Sequence, residues 1–313
     1  MKATLSGHEA GPEQTIFRNM KTPPSFLSSL LGVIALWLAS FAGASEEQRV
    51  VEKIEGAPPP VLNAALPTLW VAGDSTAANG NPHATGWGKP LSLFFDQEKI
   101  NVVNRARGGR SSRTFVTEGL WAQIVEQLKA GDVVLIQFGH NDGGPLFTGR
   151  ARASLPGLGE ETQDGEHPDG RKETVRTFGS YMRQMIGDVK AKGATPILLS
   201  LTIRQRWQDG KVERVNGRYA EWTAELARTE DVAFIDLSTL IADRYDALGE
   251  EAVKAFFPKD YVHTGPEGAE LNAELVVSGL KALKENPFGA LDPYSARGAA
   301  VEPATNAVYD AAR

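Results

Sequence analysis

From Thr68 onward, short apolar runs rich in Val and Ile alternate with longer amphipathic stretches. Five runs read as strands: residues 68–72, 100–104, 133–138, 196–201 and 232–237. The segments between them, 89–95, 119–128, 174–192 and 219–229, have the apolar spacing of helices, and a last helix is expected over about 266–284. Strands that are apolar throughout need cover on both faces, and parallel neighbours need a crossover long enough for a helix. The pattern therefore predicts an α/β domain with a parallel sheet between helices. Five strands with four crossovers fit a flavodoxin-like sheet.

Four segments fall outside this pattern. Residues 143–171 are rich in Gly and charge and long for a connection, which makes them either a lid or binding loop or a surface insertion. Residues 286–313 carry Pro, Gly and Ala with weak periodicity and read as a tail, disordered or wrapped over the domain. Residues 45–66 are polar, then contain Pro58-Pro59-Pro60, as a linker would. Upstream, Met20-Lys21 precedes an apolar run over 26–41 and then Ala42-Gly43-Ala44, a small-x-small cleavage pattern. That run is short for a membrane span of about 20 residues. We read 1–44 as an N-terminal extension and signal peptide removed after Ala44, with Met20 a possible start and a retained anchor as the alternative. The expected organisation is 1–44, 45–66, a folded domain at 67–285 and the tail, with a secreted or periplasmic location and no stable membrane association after cleavage.

Composition removes several functions. With 42% hydrophobic and 23% charged residues in 313, the chain is ordinary for a globular protein. A net charge of -6 without a Lys/Arg-rich run argues against nucleic-acid binding. The lack of cysteine excludes disulfides, thiolate metal sites and a cysteine nucleophile.

The chemistry gathers at strand ends. Gly73-Asp74-Ser75 follows the first expected strand, Asn104 to Arg110 the second and Phe138-Gly139-His140-Asn141-Asp142 the third. Asp260-Tyr261-Val262-His263 precedes the last helix. Ligands of open parallel sheets bind beyond the carboxyl ends of the strands, where these segments converge. A serine hydroxyl needs a base at neutral pH, and His263 can take that proton. Asp260 can fix the histidine's tautomer. The N–H groups of Ser75 and Gly109 and the amide of Asn141 can form an oxyanion hole. Thr264-Gly265-Pro266-Glu267 reads as a capping box with Thr264 as N-cap. It would place His263 at the positive end of a helix, where the imidazolium is disfavoured.

These four blocks resemble those of the SGNH (GDSL-like) hydrolases over roughly residues 67–285, and among them most resemble rhamnogalacturonan acetylesterases. The supporting strings are Gly73-Asp74-Ser75-Thr76-Ala77-Ala78, Gly86-Trp87-Gly88, Gly109-Arg110-Ser111-Ser112-Arg113-Thr114-Phe115, Phe138-Gly139-His140-Asn141-Asp142-Gly143 and Asp260-Tyr261-Val262-His263-Thr264. The resemblance implies a three-layer α/β/α fold and a secreted carbohydrate O-acetylesterase that needs no cofactor or metal and acts on acetylated poly- or oligosaccharide. It implies Ser75, Asp260 and His263 as the triad, with Ser75, Gly109 and Asn141 as oxyanion donors. Ala77 stands where Gly-x-Ser-x-Gly has its last glycine, which counts against an ordinary α/β-hydrolase. Acetylated xylan, small acetylated sugars and short lipid esters are alternative substrates. A carbohydrate-binding protein without catalysis is the alternative of another class.

Other residues carry two readings each. Asp74 is a candidate substrate contact in a sequence that also makes good turns. His140 either touches substrate or holds its loop by a hydrogen bond. Trp87 either lines the site or anchors packing. Arg204, Arg206 and Trp207 either grip a sugar face and a uronic carboxylate or form a surface loop. Asp164, Glu166, His167 and Asp169 lack metal-ligand spacing and read as a solvated charged loop. His83 reads as a loop residue.

Overall fold

The computed structural model describes residues 62–214, 217–284 and 294–310. The expected signal peptide, the start at Met20 and most of the linker lie outside the described residues, as do the ends of the tail. In chain order the elements are β1 (Thr68–Gly73), β2 (Asn101–Asn104), α1 (Ser112–Thr117), α2 (Leu120–Val125) and β3 (Val133–Gln137). The hairpin β4 (Thr162–Glu166) and β5 (Lys172–Arg176) follows, then α3 (Phe178–Ala191) and β6 (Thr195–Leu199). A short hairpin, β7 (Trp207–Gln208) and β8 (Lys211–Val212), precedes α4 (Arg218–Thr229) and β9 (Ala233–Ile235). The chain continues through α5 (Leu237–Leu248), α6 (Glu250–Lys254), α7 (Pro266–Ala282) and β10 (Val308–Tyr309).

The main sheet has the order β10-β9-β6-β3-β1-β2. Its five inner-domain strands are parallel, in the flavodoxin-like order, and β10 adds an antiparallel edge. Alternation along the strands sends residues to two cores. Leu69, Val71, Leu135, Ile197 and Leu199 pack with Ile241 of α5 and Val276 and Leu280 of α7. Trp70, Ala72, Val134, Ile136 and Leu198 pack with Phe115 of α1, Trp121 of α2 and Met182 and Ile186 of α3. Each face buries apolar area at roughly 25 cal/mol per Å², so the sheet is held from both sides in a three-layer sandwich.

The helix expectations need correction. Segment 89–95 is a short 3-10 turn at Pro90–Phe94 rather than an α-helix. The helix expected from 174 starts at Phe178, because Thr177 accepts the Ser180 N–H as N-cap and residues 172–176 are already paired as β5. α1, α5 and α6 were not expected. The segment 143–171 is not irregular throughout, since it contains β4.

Candidate active site

Each candidate block leaves a strand's carboxyl end or packs against one. β1 ends at Gly73, and the turn that follows is closed by Asp74, whose Oδ1 accepts the Thr76 N–H and hydroxyl at 2.8 and 2.9 Å. This is the Asx-type turn that a short acidic side chain supports. It leaves Ser75 partly exposed at the crevice. The His263 Nε2 lies 2.9 Å from Ser75 Oγ, across 188 residues of chain. On the far side of the ring, Nδ1 lies 2.8 Å from Asp260 Oδ2. Asp260 Oδ1 also accepts the N–H groups of Val262 and His263, each at 2.8 Å. Burial alone would raise the Asp260 carboxyl, but the His263 ring and those two N–H groups hold it below the usual carboxylate range. Three hydrogen bonds thus fix the anion that orients the base.

The expected oxyanion donors sit beside this pair. Gly109 has φ of +79°, a left-handed conformation that favours glycine, in a loop whose Gly108 lies against the Ser75 side chain. The N–H groups of Ser75 and Gly109 have no acceptor among the described residues, so both are open to a ligand. Asn141 is buried and gives one amide N–H to the Arg110 carbonyl at 2.9 Å, which orients the amide and leaves its other N–H. The neighbouring Gly139 has φ of +144°, and a Cβ there would stand 2.8 Å from the Tyr219 Cβ.

Several residues take supporting roles that the sequence did not assign to them. Asp142 accepts the Ser112 N–H and hydroxyl and the Ser154 hydroxyl. It therefore ties the Gly109 block to the Asn141 block. Burial pushes its carboxyl up to about 6, against the lowering by Ser112 and Ser154. Arg152 Nη1 donates to the Gly109 carbonyl at 3.1 Å, so the segment after β3 braces the oxyanion loop. No local pattern marks Arg152; only the length of its segment hinted at a role.

The same segment is pinned by charge. Arg113 is buried and forms a bidentate pair with Glu173, both contacts at 2.7 Å, while donating to the carbonyls of Leu146 and Ala153. Glu173 also meets Arg171 and His167. Burial would raise the Glu173 carboxyl, but hydrogen bonds from Arg113, Arg171 and His167 bring it down from 4.5 to about 2. A carboxylate depressed in the folded state stabilises the fold above its unfolded pKa and loses that contribution on acidification. The expected result is a melting temperature that falls between pH 4.5 and about 2, and falls less steeply in Glu173→Gln. Thermal unfolding followed across that window checks it.

Some expected roles are overturned. Trp87 does not line the site: it is fully buried, and its indole N–H donates to Gln137 Oε1 at 2.8 Å, so it is a packing anchor. Trp207 is partly buried: it packs against the core with its Nε1 buried and without a partner. The capping box at Thr264 is absent. Gly265 is the N-cap, and the Thr264 hydroxyl donates to the Thr85 carbonyl at 2.8 Å, which ties the His263 loop to the Gly86-Trp87 turn. The charged loop is not wholly solvated either, since His167 is buried against Glu173. Asp74 is also buried; its Oδ2 and the His140 Nδ1 are buried without partners. The other His140 nitrogen lies 3.1 Å from the Thr202 hydroxyl, which holds the ring to the strand-end loop after β6. Burial lowers the His140 pKa, with Asp74 opposing. His83 belongs to a surface turn whose N–H bonds the Asn81 side chain. No group of residues able to hold a metal occurs among those described.

The model of the GDSL-like lipase/acylhydrolase family matches residues 71–271. A rhamnogalacturonan acetylesterase of Emericella nidulans is 35% identical over 218 residues, covering 70% of this chain and 86% of that protein. The rhamnogalacturonan acetylesterase RhgT of Bacillus subtilis is 30% identical, covering 69% and 90%. The crystal structure of protein YXIM from Bacillus subtilis aligns with a TM-score of 0.56 at 29% identity, over 69% of this chain and 56% of that one.

Proposed function

The chain belongs to the GDSL-like lipase/acylhydrolase family, and from that premise we propose that it removes acetyl groups from a plant cell-wall polysaccharide, with pectic rhamnogalacturonan as substrate. The observation that carries the chemistry is the 2.9 Å contact between His263 Nε2 and Ser75 Oγ, backed by Asp260 at 2.8 Å. The substrate rests on the relatives' names, at 35% and 30% identity.

The steps follow from the positions. His263 Nε2 takes the hydroxyl proton as Ser75 Oγ attacks the acetyl carbonyl. Negative charge on the carbonyl oxygen meets the open N–H groups of Ser75 and Gly109 and the free amide N–H of Asn141, each such donor being worth roughly 3 kcal/mol in the transition state. The intermediate collapses, His263 returns the proton to the sugar oxygen, and the alcohol leaves. A water then gives its proton to His263 and attacks the acetyl-enzyme; as the bond to Ser75 Oγ breaks, His263 returns that proton to the serine oxygen and acetate leaves. Asp260 balances the imidazolium in both halves.

Export belongs to the same reading, because the substrate is a wall polymer and the N-terminal pattern ends at Ala44. The test uses the exported chain, with its intact mass determined. Acetate release is expected to be faster from acetylated rhamnogalacturonan than from acetylated xylan, and the mass is expected to match a start after Ala44. No release from the pectic polymer removes the substrate assignment; a mass that retains the apolar run removes the signal peptide.

A further inference from the structure

The strap between β6 and β7 forms a wall beside the His263 loop. Its Gln205 N–H donates to the Tyr261 carbonyl at 2.8 Å. Tyr261 stands between Asp260 and His263 and is one of three large apolar side chains left exposed among the described residues, at 43%. Arg206 lays its guanidinium over that ring, 4.4 Å from the centroid. Stacking holds the planar fork in one orientation and leaves its N–H edges free. Arg206 is itself exposed and forms no ion pair among the described residues. Arg204, two positions earlier, buries its Nε without a partner. Elsewhere Arg113, Arg214, Arg244 and Arg297 each meet a carboxylate. The strap thus holds two arginines that form no ion pair among the described residues, on the segment bonded to the loop that carries Asp260 and His263.

We propose that Arg206, stacked on Tyr261 and flanked by Arg204, forms a carboxylate subsite that takes a uronate residue adjacent to the acetylated sugar. The proposal rests on the acetylesterase reading and adds the feature that selects the substrate, a negative charge beside the ester. A guanidinium held edge-on offers two parallel N–H···O bonds to a carboxylate, whereas lysine would supply charge without the fork. Tyr261 then serves as the rigid support that holds the arginine in one orientation.

The experiment compares two acetylated oligosaccharides of the same backbone, one with its uronates intact and one with the carboxyl groups reduced to alcohols. Hydrolysis of 4-nitrophenyl acetate is measured alongside as a probe of the triad alone. The wild-type protein is expected to favour the acidic oligosaccharide in kcat/KM by about tenfold, mainly through KM, and to lose that preference as salt rises. In Arg206→Ala the ratio falls towards one; Arg206→Lys and Tyr261→Leu give intermediate ratios. Equal kcat/KM for the two oligosaccharides in wild type, with 4-nitrophenyl acetate still turned over, overturns the subsite and leaves the esterase reading standing. So does a ratio that Arg206→Ala leaves unchanged. A folded wild-type protein that hydrolyses none of the three esters overturns the esterase reading, and the subsite with it.

Discussion

Ser75→Ala is expected to lower kcat by about a million-fold while leaving the protein folded, the loss typical when a triad nucleophile is removed. The size follows from what the hydroxyl does. Its oxygen forms the covalent bond to the acetyl group, and among the described residues no other group is hydrogen-bonded to His263 Nε2 to replace it. The structural loss is small by comparison. Ser75 is partly exposed and, among the described residues, its hydroxyl bonds His263 alone, a contact worth about 1 kcal/mol. Single-turnover kinetics on an acetylated oligosaccharide, together with a thermal unfolding curve, separate the two effects. A variant that retained wild-type kcat would remove Ser75 from the mechanism.

The second large effect belongs to Asp260→Asn, for which a drop in kcat of about ten-thousand-fold is expected. Asp260 uses one oxygen for the N–H groups of Val262 and His263 and the other for the ring Nδ1. Asparagine can keep the backbone bonds with its carbonyl. Its amide then faces Nδ1 as a donor, so the neutral ring carries its proton on Nε2 and points it at Ser75. A base already protonated on that side cannot accept the serine proton. KM should change little, since the substitution alters a proton's position rather than the crevice wall. A fall in KM-controlled binding with kcat preserved would contradict this role. Because the Asp260 carboxyl is held below the ordinary range, activity lost on mild acidification is not to be assigned to its protonation.

The parts legible in the sequence were those with a strong local signature. Val133 to Ile136 and Pro196 to Leu199 are apolar without interruption, and such runs admit few placements besides a doubly covered strand. Ser75, Asp260 and His263 were legible because a strand end and a helix start constrain where their loops can go. α1 was missed because Ser112-Arg113-Thr114-Phe115-Val116-Thr117 is polar and β-branched; it is fixed instead by the Ser111 capping box and by the salt bridge from Arg113 to Glu173. β4 was missed because Thr162 to Glu166 carries no apolar residue for a period to act on, and it is its pairing with β5 that makes it a strand. Thr264 and Glu267 match a capping box by spacing, yet the Thr85 carbonyl, 179 residues away in sequence, wins the Thr264 hydroxyl. The Arg206–Tyr261 stack likewise joins two segments that no window of sequence contains.

The antiparallel edge strand also bears on how the molecule behaves in company. Val308 and Tyr309 pair with Ile235 and Phe234, and the Asp236 N–H donates to the Ala307 carbonyl at 2.7 Å. Without them β9 would present a row of bare peptide groups next to apolar side chains, the kind of margin on which a second molecule can grow. With β10 in place, that margin is covered along Phe234 and Ile235, and the sheet ends on that side in a strand of two residues, too short to offer a long template.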